Sequence, residues 1–346
     1  MASLCRASYA RPMIQISSKH VALAALAATL AVPAAAGAQA PPPPTAANGA
    51  TVTTLAQGLP TPTEFAFYKR AVFVSAFGDP EDPTVKGGVF RIRKGKAHRL
   101  RNAPRTVAGI AWRKGTRKLY VSNNKRIVVL SRWNGHRFLR SRTIYRGPAG
   151  FNGFSGLAFG PDGRLYSGVQ LSDTTDEKPD TSPFARSVVS MKPNGTDIKV
   201  VAKGLRQPWQ LTFVNGIADP FVSVLADERT PTPPDWIVKA KPGQDYGYPT
   251  CTQLTNQPCH GFDKPVALLD NHASPMGISP IGRTLYVALF GGLTPEHPVV
   301  VSMNTAGKQI EPFLTGYVAP VLAVGTRKGN VYTGDLTGAI YRVKAG

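Results

Sequence analysis

One phrase recurs six times along this chain, and it restricts the fold more than any other feature. An apolar strand, a turn, and a second strand of the L-Y-V type appear as E-F-A-F-Y-K-R-A-V-F-V-S (Glu64 to Ser75) and A-G-I-A-W-R-K-G-T-R-K-L-Y-V-S (Ala108 to Ser122). They return as S-G-L-A-F-G-P-D-G-R-L-Y-S (Ser155 to Ser167) and W-Q-L-T-F-V-N-G-I-A-D-P-F-V-S (Trp209 to Ser223). The last copies are M-G-I-S-P-I-G-R-T-L-Y-V-A (Met276 to Ala288) and V-L-A-V-G-T-R-K-G-N-V-Y-T (Val321 to Thr333). Successive copies start roughly 40 to 65 residues apart, which leaves room for two further strands after each. Short strands between Gly and Pro turns, with no helical periodicity, belong to an all-β chain. Six four-stranded units predict a six-bladed β-propeller, with seven blades as the alternative count.

The ends of the chain suggest how the ring closes. The last unit stops at a third strand, A-I-Y-R-V-K (Ala339 to Lys344), and so lacks its outer one. Near the other end, T-V-T-T-L-A-Q-G-L (Thr51 to Leu59) resembles the outer strand I-K-V-V-A-K-G-L (Ile198 to Leu205). Pairing the first strand with the last blade would remove an exposed sheet edge.

Residues 1–38 read as a secretory signal peptide. Arg6, Arg11 and Lys19 precede an Ala/Leu/Val run from Val21 to Gly37, and Ala36-Gly37-Ala38 offers a small-residue cleavage site. The run is short and broken by Pro33, so a spanning anchor is the weaker reading. A secreted, periplasmic or cell-surface protein follows, not transmembrane after cleavage. Residues 39–50 are a Pro/Ala-rich linker, and 51–346 form one propeller domain. Two cysteines remain after cleavage, Cys251 and Cys259. In an exported chain an isolated close pair forms a disulfide; a metal pair would need more ligands than the adjacent His260.

Charge is distributed unevenly. Lys plus Arg exceed Asp plus Glu by 21, of which the signal peptide supplies three. No acid lies between Pro83 and Pro161, whereas Arg91 to Arg146 holds 18 Lys or Arg. Such a field suits a polyanionic cell-wall polymer or an anionic surface; the alternative is a solvated outer face. Export and the absence of any nucleic-acid module argue against nucleic acid as the partner.

Three phrases in order carry a family resemblance: G-L-R-Q-P-W-Q-L-T-F (Gly204 to Phe213), D-W-I-V-K-A-K-P-G-Q-D-Y-G-Y-P-T-C (Asp235 to Cys251) and N-H-A-S-P-M-G-I (Asn271 to Ile278). The stretch from Phe151 to Gly292 resembles the glucose/sorbosone dehydrogenase family, whose members oxidise sugars with pyrroloquinoline quinone on a six-bladed propeller. The resemblance implies an exported sugar or polyol oxidoreductase using pyrroloquinoline quinone and Ca²⁺. It places the cofactor-binding pair at Arg206 and Gln207, and the catalytic base at Asn152, ahead of G-P-D-G-R-L-Y (Gly160 to Tyr166).

Several positions depart from that pattern. Asn152 stands where the family has a His, and an amide has no basic nitrogen to take a hydroxyl proton. Leu171 stands where the orienting Asp would be, with Asp173 two residues on. Gly316 to Val324 lacks the family's late Arg and its Asp. His272, just before the fifth inner strand, is the substitute catalytic candidate; otherwise it is a structural His bonding a loop carbonyl. Asp227 and Glu228 could offer oxygens to Ca²⁺. Y-G-Y-P (Tyr246 to Pro249) reads as a turn packing aromatic rings between blades, and N-G-T (Asn194 to Thr196) as a hairpin turn. His98, His136, His260 and His297 read as exposed turn residues. The rival to an enzyme is a non-catalytic carbohydrate- or surface-binding propeller derived from the same family.

Overall fold

Why each middle strand is apolar almost without interruption becomes clear once its two faces are followed. The computed structural model describes residues 41–79, 82–123, 125–171, 181–226, 234–251, 259–292 and 297–346. In Arg126–Trp133, Ile127 and Val129 bury in one cluster while Val128 and Leu130 bury in another. Alternate side chains leave opposite faces of a strand, so a sheet covered on both faces needs apolar residues at every position. The buried apolar residues fall into six clusters, one at each boundary between neighbouring sheets. The core is therefore a ring of interfaces. Each fully buried Leu, Val or Phe contributes about 1.5–3 kcal/mol to it.

The sheets are six antiparallel blades, written here from the axis outward. Blade 1 is Pro62–Tyr68, Ala71–Gly78, Lys86–Arg93 and Lys96–Arg99; blade 2 is Gly109–Trp112, Lys118–Asn123, Arg126–Trp133 and Phe138–Arg146. Blade 3 is Phe154–Phe159, Leu165–Val169, Ser187–Met191 and Lys199–Lys203, with Gln244–Asp245 added in parallel outside. Blade 4 is Gln207–Thr212, Phe221–Leu225, Pro234–Lys239 and Ala267–Asn271; blade 5 is Pro275–Ile281, Thr284–Leu289, Val299–Asn304 and Glu311–Thr315. Blade 6 is Val321–Arg327, Asn330–Asp335 and Ile340–Lys344, and its outer strand is Thr53–Ala56 from the other end of the chain. Thr53 pairs with Arg342 and Ala56 with Ile340, so the ring closes as the sequence suggests.

One segment does more than expected. Within the Pro/Ala-rich stretch read as a linker, Thr45 and Ala46 pair with Thr315 and Leu314 and cover the outer edge of blade 5. The physical reason is the same as for closure: an uncovered strand edge leaves backbone donors and acceptors unpaired. The signal peptide read at residues 1–38 lies outside the described residues. Among the described residues no helix is long and apolar enough to cross a membrane.

In two repeats the closing serine fastens one blade to the next. The Oγ of Ser122 donates 2.8 Å to Ser155 O in blade 3, and that of Ser223 donates 2.6 Å to Met276 O in blade 5. Both serines are fully buried, where a satisfied hydroxyl stabilises and an unmet one costs about 1–3 kcal/mol. In blade 1 the link comes from Thr63, whose Oγ1 lies 2.8 Å from Ser75 Oγ and 3.1 Å from Val107 O, just ahead of blade 2.

Candidate functional site

Antiparallel pairing brings the entry of each inner strand beside the exit of the second strand: Gln207 faces Leu225 in blade 4, and Pro275 faces Leu289 in blade 5. The loops at that end form an axial face, and the residues singled out from the sequence lie on it. Their hub is a residue the sequence reading passed over. Asp235 is the second residue of the third strand of blade 4 and is 5% exposed. Its Oδ1 accepts from Ala226 N at 2.7 Å, and its Oδ2 from Ser274 N at 2.6 Å, tying blade 4 to the loop that enters blade 5. Burial pushes its carboxyl up to about 6, opposed by those two hydrogen bonds and by the charges of His272 and Arg206.

His272 is exposed at the head of that loop. It and Ser274 have φ of 56° and 48°, the left-handed region that costs a non-glycine residue about 1–3 kcal/mol. The surroundings enforce this shape. Phe290 N and Gly291 N donate to Ser274 O and Ala273 O at 3.0 and 3.1 Å. A Cβ on Gly291 would lie 2.1 Å from His272 O, so only glycine allows the approach. The imidazole thus stands in solvent on a rigid, strained loop next to a buried carboxylate.

Arg206 is 2% exposed and lies where its charge acts on Asp235. Gln207, half-buried, accepts 3.0 Å from Leu171 N through Oε1. Asn152, also half-buried, donates through Nδ2 to Gln170 O at 3.1 Å and Ser182 Oγ at 2.9 Å. Hydrogen bonds therefore join Asn152 to Gln207 through Gln170–Leu171, and Asp235 to the His272 loop through Ser274, while Arg206 and His272 both act electrostatically on Asp235. The peptide bond between Arg206 and Gln207 joins the two sets. Asp173, Asp227 and Glu228 lie outside the described residues, and among the described residues no three His, Cys, Asp or Glu side chains could hold a metal.

The supporting features are structural. Cys251 and Cys259 form a disulfide with Cα atoms 5.9 Å apart. Tyr246 and Tyr248 are buried in the cluster between blades 3 and 4, where the Arg186 guanidinium lies 5.0 Å from the Tyr248 ring centre. The N-G-T segment is a hairpin turn, with Asn194 Oδ1 accepting from Thr196 N. His98, His136, His260 and His297 are exposed, although His98 sits in the outer strand of blade 1 rather than in a turn.

Closer to the axis, two further polar side chains cross from blade to blade. Glu64, 7% exposed, reaches from blade 1 and accepts from Ile110 N at 2.6 Å and Leu157 N at 3.1 Å, on the inner edges of blades 2 and 3. Gln210 reaches from blade 4 and donates to Thr63 O in blade 1. Burial pushes the Glu64 carboxyl up to about 8, against both backbone hydrogen bonds. Aligning the six repeats would have exposed both residues: the column reads Glu64, Gly109, Gly156, Gln210, Gly277 and Ala323. A Cβ on Gly109 would lie 2.8 Å from Glu64 Oε2, and one on Gly156 2.8 Å from Gln210 Cγ. Small residues there make room for the two large polar ones, which satisfy inner-edge backbone groups that no fifth strand covers.

No family model matches this chain, and no curated protein matches it in sequence. Solved structures do. The PQQ-bound aldose sugar dehydrogenase of Streptomyces coelicolor is similar over 88% of this chain and 99% of its own, at TM-score 0.66 and 21% identity. An oxidoreductase (glucose dehydrogenase) from Thermus thermophilus is similar over 85% and 100%, at TM-score 0.66 and 18% identity. A gluconolactonase from Xanthomonas campestris is similar over 88% and 95%, at TM-score 0.52 and 14% identity. At these identities the shared property is the six-bladed fold.

Proposed function

We propose that this chain is an exported, sugar- or polyol-directed propeller of the sugar-dehydrogenase type, acting through the axial face of blades 3 to 5. One observation carries the reading: the buried Asp235 ties blade 4 to the loop that presents His272, on a fold that sugar dehydrogenases also use. In this reading His272 hydrogen-bonds a substrate hydroxyl, and Asp235 holds the loop that presents it. Asn152 is a positioning residue, since its amide has no basic nitrogen and its Nδ2 already bonds Gln170 and Ser182.

Pyrroloquinoline quinone is the cofactor that the resemblance implies. It carries three carboxylates, and binding it at an open face calls for exposed cations. Arg206 is buried beside Asp235, and Gln207 Oε1 is engaged by Leu171 N, so the matched pair does not fit a clamp for that cofactor.

The test is a titration of the mature protein with pyrroloquinoline quinone, Ca²⁺ and a panel of aldoses and polyols. Saccharide binding is read calorimetrically and turnover with a dye acceptor. The expected result is millimolar or tighter sugar binding that His272→Ala weakens at least tenfold. Turnover that needs the quinone would restore the full dehydrogenase reading, whereas binding without turnover would favour the non-catalytic propeller. A panel with no binding at all, or one that ignores His272→Ala, would overturn the axial site.

A further inference from the structure

A second concavity lies away from the axial face, between blades 2 and 3. It has a volume of about 390 Å³, at the lower end of the range for small-ligand sites. Arg113, Lys118 and Arg142 of blade 2 and Lys192 of blade 3 all line it, together with Tyr120 and Ser131, and no carboxylate does. We propose that this cleft binds a phosphate-type oxyanion, free or borne on a small sugar.

Three observations support a built site over a solvated basic face. The first is preorganisation. Tyr120 is 1% exposed, its hydroxyl donates 3.0 Å to Pro193 O across the blade boundary, and the Arg113 guanidinium acts on its phenol oxygen. Arg142 also acts electrostatically on that oxygen, so two guanidinium groups are gathered around one buried anchor. The second is incomplete internal compensation, since among the described residues only Lys192 of the four cations has an ion pair. The carboxylate nearest the cleft by ion pairing, Asp197, lies 2.8 Å from Arg164 and 3.5 Å from Lys199, but 3.9 Å from Lys192. Among the described residues, Arg113, Lys118 and Arg142 make no ion pair. Four cations around one concavity repel one another, and an anion seated among them relieves that repulsion. The third is donor chemistry. Guanidinium groups present paired N–H donors that match the oxygens of a phosphate, and the lysines and the Ser131 hydroxyl add further donors. The cleft also narrows the charge reading: most of the 18 Lys and Arg between Arg91 and Arg146 contribute a general field, and only three of them line it.

The experiment compares two double variants that remove equal charge. Arg113→Ala/Arg142→Ala strips the cleft, while Arg117→Ala/Arg140→Ala strips exposed neighbours outside it. Each is titrated calorimetrically, at about 0.15 M salt where distant charges are largely screened, with inorganic phosphate, glucose 6-phosphate and a short polyphosphate. The expected result is saturable one-to-one binding that the cleft pair weakens at least tenfold and the control pair less than twofold. Tighter binding of glucose 6-phosphate than of phosphate would identify a sugar-borne group; equal binding would identify the free anion. Equal losses in both pairs, or polyphosphate binding at many sites without binding of the smaller anions, would show a diffuse field and overturn the site. Should the arginine pair fail to fold, Lys118→Gln/Lys192→Gln, at two exposed side chains, carries the same expectation of weakened binding.

Discussion

Charge at the axis and charge at the circumference of this propeller behave as two different materials. Near the axis it is scarce and buried: Glu64 and Asp235 each accept two backbone N–H groups from neighbouring segments, and Arg206 lies beside Asp235. Around blades 1 and 2 it is abundant, one-signed and mostly exposed, and among the described residues no ion pair involves Arg91 to Arg146. The exceptions have local structural roles. Arg91 stacks 5.3 Å from the Trp133 ring centre and donates to Gly135 O, and Arg99 Nε donates 2.8 Å to Gly87 O. A buried ionisable group matters singly, because desolvation makes each partner count; an exposed one matters through the summed field. Position decides which.

The largest expected effect concerns Glu64. Its folded carboxyl titrates near 8, against 4.5 for the free side chain, because burial disfavours the anion. The folded state keeps this proton over a range in which the unfolded chain has released it. The resulting stability is therefore fully present below about pH 4.5 and is lost as pH rises through about 8. Glu64→Gln keeps an acceptor oxygen for Ile110 N or Leu157 N and cannot ionise, so it removes this slope. At pH 9 the variant should exceed the parent by roughly 4–5 kcal/mol, with the two nearly equal at pH 5. Urea unfolding at both pH values checks this. Parallel pH profiles for parent and variant would mean that the axial carboxyl is not isolated from solvent, and the contrast with the circumference would weaken.

Next comes Asp235. Replacing it with Ala leaves the buried Ala226 N and the half-buried Ser274 N without their acceptor and removes a charge that interacts with Arg206 and His272. Removing one member of a buried charged network costs about 3–5 kcal/mol. The loss should be local as well as global: the Ser274 amide should lose hydrogen-exchange protection before the core strands do. Uniform loss of protection throughout blades 4 and 5 would instead make Asp235 a general packing residue.

How far the sequence revealed these two regions follows from the same contrast. The blade count, the ring closure and the basic run are carried by many residues each, so periodicity and composition show them. The bond from Thr45–Ala46 to blade 5 involves two residues in a Pro/Ala-rich stretch, too few to produce a pattern. Asp235 was in view as the first letter of D-W-I-V-K, but its role depends on Ala226 and Ser274, which only the fold brings to it. The family resemblance implies a cofactor ligand at Arg206, but the burial of that side chain is not written in a motif. Glu64 and Gln210 are the instructive case. They were legible as two exceptions in a column of small residues, but a search for repeats looks for what stays the same.

The smallest expected effect tests the circumference. Arg117 and Arg140 are exposed side chains in the basic run, and neither lines the cleft between blades 2 and 3. Arg117→Ala and Arg140→Ala should each change unfolding free energy by no more than about 0.5 kcal/mol, as surface substitutions away from buried networks do. The direction should be slightly stabilising at low salt, because each removes a charge from a region of uniform sign, and the gain should fade as salt screens the field. Thermal unfolding of both variants at about 0.02 and 0.5 M NaCl reads this directly. A loss of more than about 1 kcal/mol at either position, unchanged by salt, would mean that the arginine is bonded within the fold like Arg91 and Arg99, and that the basic flank is part of the scaffold.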